Sequence, residues 1–288
     1  MKVLLATDGS KAAEEAAAFL AHLPHPDRME LTVLAISPTF EFHGSREVVD
    51  WIQRNLETER QRAVDACQRV EAIFEGANAS VETVITEGHA AKTIVAEAKA
   101  RGSELIVLGA LGHSTIDRIL LGSVSDFVST HAPCSVLLVR PGEVNHEGLK
   151  LCHAYDGSEQ CQFARDQLKA FAWGAKVHLD LLSVMLTPYA YLEIPLDLDT
   201  GPIKEDMAQA LQKVATQMQT QFPCVETHVI EAIHVGDAIV GFAKRQHSNL
   251  VVLGDTGRGL AGKFFLGSVS RYVLRHTHAS VWIARKPD

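Results

Sequence analysis

The chain is poor in the features that mark most specialised classes. It has five cysteines, Cys67, Cys134, Cys152, Cys161 and Cys224, an odd number with no C-x-x-C pair among them. A disulfide framework is therefore not expected, and reduced thiols of a cytoplasmic protein are. Basic residues are outnumbered, 27 Lys and Arg against 35 Asp and Glu, for a net charge of −8. That deficit argues against nucleic-acid binding, which needs clustered positive charge. Long hydrophobic runs are missing too. The apolar stretch before Thr7 and Asp8 is too short for a secretory signal, and no later segment approaches a membrane span. The fourteen histidines fall into no H-E-x-x-H or Cys/His ligand spacing, so no dedicated metal site is expected.

What is present is a repeat. Residues 2–10, KVLLATDGS, reappear as KLCHAYDGS at 150–158, with Asp8 and Asp156 standing 148 residues apart. Residues 104–140 align without gaps to 249–285, with Gly109 and Gly254 standing 145 apart. A period this long means duplicated domains rather than a solenoid. The domains are expected at 1–143 and 149–288, joined by the Gly-, Pro- and polar-rich segment 141–148.

Each copy alternates short apolar runs with helical periodicity. In the first, strands are expected at 3–6, 31–36, 81–86, 105–108 and 135–139, with helices opening after Ser10, over 45–75, over 90–100 and over 123–131. In the second, strands are expected near 151–155, 177–184, 225–230, 250–253 and 280–284. This order predicts an α/β fold of two tandem doubly wound parallel sheets, each five-stranded and Rossmann-like. Ligands of such sheets sit beyond the carboxyl ends of the strands. The last strand of each copy should lie at a sheet edge, where the copies can pair as an intrachain pseudo-dimer. A homodimer of the whole chain stays open.

The same motif follows the fourth strand in both copies. Gly109 and Gly112 precede Gly122-Ser123, with nine residues between the second and third glycines; Gly254, Gly257 and Gly267-Ser268 repeat that spacing. Bare glycine backbone lets a ligand approach closely. The free N–H groups and dipole of a helix opening at Ser123 or Ser268 suit a phosphate, and Ser123 and Ser125 can add hydroxyl donors. Two other patterns overlap the second loop. Gly257, Gly259 and Gly262 fit G-x-G-x-x-G, and Gly257 to Lys263 fits G-x-x-x-x-G-K. Both fall too late in the domain for a dinucleotide or P-loop site, and Phe264 stands where a P-loop needs Ser or Thr. Asp255 places a negative charge in the second loop that a cation such as Arg258 must offset; His113 is the nearest cation in the first. His131 and His276 suit the negative end of the last helix, and Cys134 reads as a small buried hydrophobe.

With Asp8 and Asp156 at the end of the first strand, the G-x-x-G-x9-G-S loops and the Val-Ser that follows them, both halves resemble universal stress protein domains of the ATP-binding type. The resemblance implies strand order 3-2-1-4-5 and an adenine nucleotide alpha hydrolase-like fold. It places the nucleoside near Thr7 and Asp8, adenine near Ile36, and phosphates on Gly109, Gly112, Gly122, Ser123, Val124 and Ser125. In the second half Asp156, Val184, Gly254, Gly257, Gly267, Ser268, Val269 and Ser270 take those places, with Tyr155 where the first has Thr7. The function implied is an ATP-binding stress-response regulator acting on a protein partner, with magnesium or manganese accompanying the phosphates. No dedicated catalytic residue is expected; a nucleotide-free scaffold and a slow ATPase are the alternatives.

Overall fold

The computed structural model describes residues 1–39, 46–110, 121–141, 148–187, 199–257 and 266–287, the side chains of 46–52 excepted. The chain divides into two compact units, Met1–Pro141 and Gly142–Lys286.

In the first unit β1 (Lys2–Thr7), β2 (Met29–Ser37), β3 (Ala79–Glu87), β4 (Leu105–Gly109) and β5 (Ser135–Val139) alternate with α1 (Lys11–His22), α2 (Arg46–Ile73), α3 (Ala90–Arg101) and α4 (Ser123–His131). Hydrogen-bonded neighbours run β3-β2-β1-β4-β5, all parallel. The central strands are buried along almost their whole length, because crossover helices cover both faces of a parallel sheet. β3 is half exposed, as suits the strand farthest from the centre. The strands run one or two residues beyond the expected apolar runs. Glu30 and Lys2, for instance, lie opposite each other in register, so the ladder continues where hydrophobicity stops.

α1 begins where Ser10 accepts the Ala13 amide at 3.3 Å, an N-cap that satisfies one orphan donor. Its small residues Ala12, Ala13, Ala16 and Ala17 are buried with Phe19 and Leu20, so the helix lies close against the sheet. α3 ends at Gly102, whose φ of 62° closes the helix in the left-handed conformation that glycine adopts freely.

The second unit repeats this plan with β6 (Lys150–Ala154), α5 (Glu159–Lys169), β7 (His178–Leu186), α6 (Gly201–Met218), β8 (Cys224–Ala232), α7 (Val235–Arg245), β9 (Leu250–Gly254), α8 (Ser268–His276) and β10 (Ser280–Ala284). Its order is β8-β7-β6-β9-β10, again parallel. Its core adds an aromatic group. Phe171 meets Trp173 and Trp282 at centroid distances of 5.3 and 5.5 Å, and Trp173 stacks on Phe222 at 5.3 Å. Both indoles are satisfied, Trp173 Nε1 donating to the Leu168 carbonyl and Trp282 Nε1 to Gln167 Oε1. Val281, Trp282 and Ile283 are buried, with Trp282 held by its own unit's aromatic core.

Among the described residues no helix is long and apolar enough to cross a membrane. Cys134 is buried. His131 and His276 each lie within hydrogen-bonding distance of a carbonyl in their own helix, of Phe127 and Tyr272 respectively, in the last turn where a cation opposes the helix dipole.

Candidate functional site

The cleft of the first unit is built at the carboxyl ends of β1 and β4. After Thr7 the chain reverses through Gly9, at φ 76°. Thr7 Oγ1 accepts the Gly9 N–H at 3.2 Å and Asp8 Oδ1 accepts the Ser10 N–H at 3.0 Å. The Asp-Gly-Ser segment is therefore a side-chain-braced turn that delivers the chain into α1. Asp8 itself is exposed at the rim of the cleft.

Gly109 ends β4. A Cβ there would lie 2.8 Å from the backbone carbon and oxygen of Ala12. The glycine therefore admits α1 to the sheet, in addition to the ligand approach expected of it. Gly254 has the same function in the second unit, where a Cβ would meet Gln160 Cβ at 2.7 Å. Gly122 differs. Among the described residues an added Cβ would meet only the Ala110 carbonyl at 3.4 Å and Ser125 Oγ at 3.8 Å, so none of them crowds this side of the residue.

Gly122 is the N-cap of α4, and among the described residues no side chain caps the helix. The first intrahelical bond is from the Asp126 amide to the Gly122 carbonyl. Helix geometry thus leaves the amides of Ser123, Val124 and Ser125 without helical acceptors, a ready anion site. The Ser125 hydroxyl donates to the Gly109 carbonyl at 3.0 Å. It ties the helix start to the strand end, an engagement separate from the phosphate-donor role expected from sequence. The exposed Ser123 keeps that possibility.

These parts enclose a cavity of about 240 Å³. Leu34, Ile36, Leu108 and Ile94 form an apolar wall; Thr7, Asp8, Ser10 and the α4 start form the polar one. All the expected first-unit residues that are described line it. Gly112 and His113 lie outside the described residues. Sequence reasoning missed Ala90 and Ile94 of α3, which also line the cavity. Their one-turn spacing was visible, but nothing local says that α3 faces this end of β2.

The corresponding cavity of the second unit measures about 110 Å³. Tyr155, Asp156, Val184, Gly254, Gly257, Val269 and Ser270 line it, together with Thr256 and Ile239; Gly267 and Ser268 stand at the α8 start but not on its lining. Asp156 Oδ1 braces the turn by accepting the Ser158 amide at 2.8 Å. A Cβ on Gly257 would come within 3.0 Å of the other Asp156 oxygen, so the carboxylate rests against the loop. Ser270 Oγ donates to the Gly254 carbonyl at 2.7 Å, as Ser125 does in the first unit.

The charge of Asp255 is offset by Arg285, whose Nε donates to Asp255 Oδ2 at 2.9 Å with both side chains largely buried. Arg258, the cation suggested by proximity in sequence, lies outside the described residues, as does most of the overlapping G-x-G-x-x-G and G-x-x-x-x-G-K segment. Arg285 closes β10 as Arg140 closes β5, and that repeated Arg was the available signal. In the first unit Ala110 replaces Asp255, and burial lowers the Arg140 pKa from its ordinary value.

Comparison with known proteins bears on the family and the fold. The universal stress protein family model matches residues 1–140 and again 150–285. Universal stress protein Rv1996 of Mycobacterium tuberculosis is 26% identical over 99% of this chain and 95% of its own. Universal stress protein YxiE of Bacillus subtilis is 32% identical, covering 48% of this chain and 98% of its own. Among solved structures, a universal stress protein from Archaeoglobus fulgidus superposes with a TM-score of 0.66 at 21% identity, covering 99% of this chain and 98% of that one. Two matched domains, a shared doubly wound fold and a relative aligned end to end place the chain in the universal stress protein family, in tandem form.

Proposed function

We propose that the first unit binds ATP and that the chain acts as a nucleotide-dependent stress-response regulator. One observation carries this reading. A cavity of about 240 Å³ runs from the apolar wall of Leu34, Ile36 and Ile94 to the uncapped start of α4. An adenine ring suits the apolar end and the phosphates suit the helix amides. Asp8 stands at the rim, where its carboxylate can meet the ribose or a magnesium or manganese ion held by the phosphates.

The second unit binds nucleotide more weakly or not at all on this reading. Its cavity is about 110 Å³, and Tyr155 occupies the position of Thr7. Occupancy of the first unit stabilises the folded domain by mass action, roughly 2.7 kcal/mol at a hundredfold excess over the dissociation constant. It orders the α4 start for a protein partner to read. The groups at the cleft are positioned to hold a ligand; Asp8 Oδ1 accepts the Ser10 amide in its turn.

The protein is purified, denatured by heat, and the released small molecules identified by mass spectrometry. ATP is the expected ligand. Recovered ADP, with slow release of phosphate from added ATP, would favour the weak ATPase. A protein that carries no nucleotide and whose melting temperature ignores added ATP would support the nucleotide-free scaffold and overturn the proposal.

A further inference from the structure

The second unit holds a group of donor side chains that its cleft does not use, at the opposite end of the same sheet. β7 and β8 run parallel with His178 opposite Cys224, Asp180 opposite Glu226 and Leu182 opposite His228. Residues two apart on a strand share a face. His178 and Asp180 on one strand and Cys224, Glu226 and His228 on the other therefore project together.

Their atoms converge. His178 Nε2 and His228 Nε2 lie 3.3 and 2.8 Å from the same oxygen, Asp180 Oδ1. Glu226 brings Oε1 to 4.0 Å from His178 Nε2 and Oε2 to 3.8 Å from His228 Nε2. Cys224 Sγ lies within 4.8 Å of the donor atoms of His178 and Glu226. The Asp180 side chain is only 3% exposed, whereas the two imidazoles are about a quarter exposed. The group thus has a buried anionic floor and an open mouth.

The sheet does not need this set. At the matching register the first unit has Glu30 and Thr32 on β2, with Ser80, Glu82 and Val84 on β3, and it forms the same strand pair. Of the five donors, only the glutamate is shared. The cleft lies toward the other end of the strands, against Val184 and Gly254, with Leu182, opposite His228, the first of its lining residues along β7.

We propose that His178, Asp180, Glu226 and His228 form a binding site for a divalent transition metal of the zinc class, with the Cys224 thiol beside it. Zinc bonds of roughly 2.0–2.2 Å to nitrogen and oxygen put tetrahedral ligand atoms about 3.4 Å apart. The separations of 2.8 and 3.3 Å to Asp180 Oδ1 and of 3.8 and 4.0 Å to the two different Glu226 oxygens bracket that value. The donors form two overlapping groups, His178–Cys224–Glu226 and Asp180–Glu226–His228, each drawn within 4.8 Å, and a shared ion requires the two to close on one point. Two imidazoles with carboxylates and a nearby thiol favour zinc over magnesium or calcium, which prefer oxygen alone. In the metal-free state each imidazole donates its Nε2–H to Asp180. Binding moves each Nε2 proton to Nδ1 or to solvent, which frees the Nε2 lone pair for the cation, and clamps β8 to β7.

The tag-free full chain, stripped with a chelator and dialysed, is titrated with zinc chloride against a colorimetric competitor, and its thermal unfolding is recorded with and without zinc. One zinc ion per chain and a raised melting temperature are expected. His178→Ala, near the exposed start of its strand, and His178→Ala/His228→Ala are each expected to weaken binding at least tenfold, on the order of what loss of supporting groups alone costs metal sites. Cobalt in place of zinc is expected to give the visible bands of a four-coordinate ion, lost in His178→Ala. Undiminished zinc affinity in a folded His178→Ala protein, or no stoichiometric uptake by the wild-type chain, would overturn the proposal. Nucleotide binding plays no part in the readout, so the two proposals stand or fall separately.

Discussion

His153 sits in β6 where the first unit has Leu5, and both are fully buried. Burial lowers its pKa from 6.5 to about 4, against a raising contribution from its bond to the Val252 carbonyl. In the unfolded chain this group takes up a proton below its ordinary value; in the folded protein it resists until about pH 4. Its stabilising contribution is therefore complete above pH 6.5, falls as pH drops, and levels off below about 4. The loss amounts to roughly 3 kcal/mol over that window. His153→Leu should flatten the melting temperature between pH 6.5 and 4 relative to wild type; parallel pH profiles would contradict this. The glycines separate in the same way. Gly109→Ala forces a Cβ into the Ala12 backbone and should cost roughly 1–3 kcal/mol in urea unfolding, while Gly122→Ala should cost well under that. Equal losses would mean that Gly122 is also a packing residue. The sequence made both glycines visible but not the difference between them, because the neighbour of Gly109 is a helix nearly a hundred residues earlier.

At the level of elements, periodicity and apolar runs were enough to place the described strands to within one or two residues and the first unit's helices, with most strand ends extended where charged residues continue the ladder. Contacts between elements were harder to read. The partner of Asp255 is thirty residues away on the end of β10, and the donors on β7 and β8 gather only through strand register. Alternation in H-x-D at 178–180 and C-x-E-x-H at 224–228 was legible; their adjacency was not. A smaller contrast lies at helix ends. α3 closes with Gly102 at φ 62°, and the matching position after α7 is His247 at φ 54°. A side chain in that conformation is strained by about 1 kcal/mol. His247→Gly is expected to stabilise the second unit by about that amount, read as a higher urea midpoint. A lower midpoint would show that the imidazole makes contacts worth more than the strain.

Across the whole molecule, two copies of one plan have diverged in what they can hold. The helix starts alone would favour the second unit, since α4 carries Asp126 in its first turn and α8 has no acid there. Such a charge near a helix end is worth roughly 0.3–1 kcal/mol. Cavity size outweighs it, because a ligand that does not fit gains nothing from the helix. The space of about 240 Å³ in the first unit against about 110 Å³ in the second therefore predicts unequal sites. The most direct test is the stoichiometry of ATP binding by equilibrium titration of the full chain with magnesium, for wild type, Gly122→Glu and Gly267→Glu. One ATP per wild-type chain is expected, lost in Gly122→Glu and kept in Gly267→Glu. Unchanged binding in Gly122→Glu, or loss only in Gly267→Glu, would contradict the assignment of the nucleotide to the first cleft.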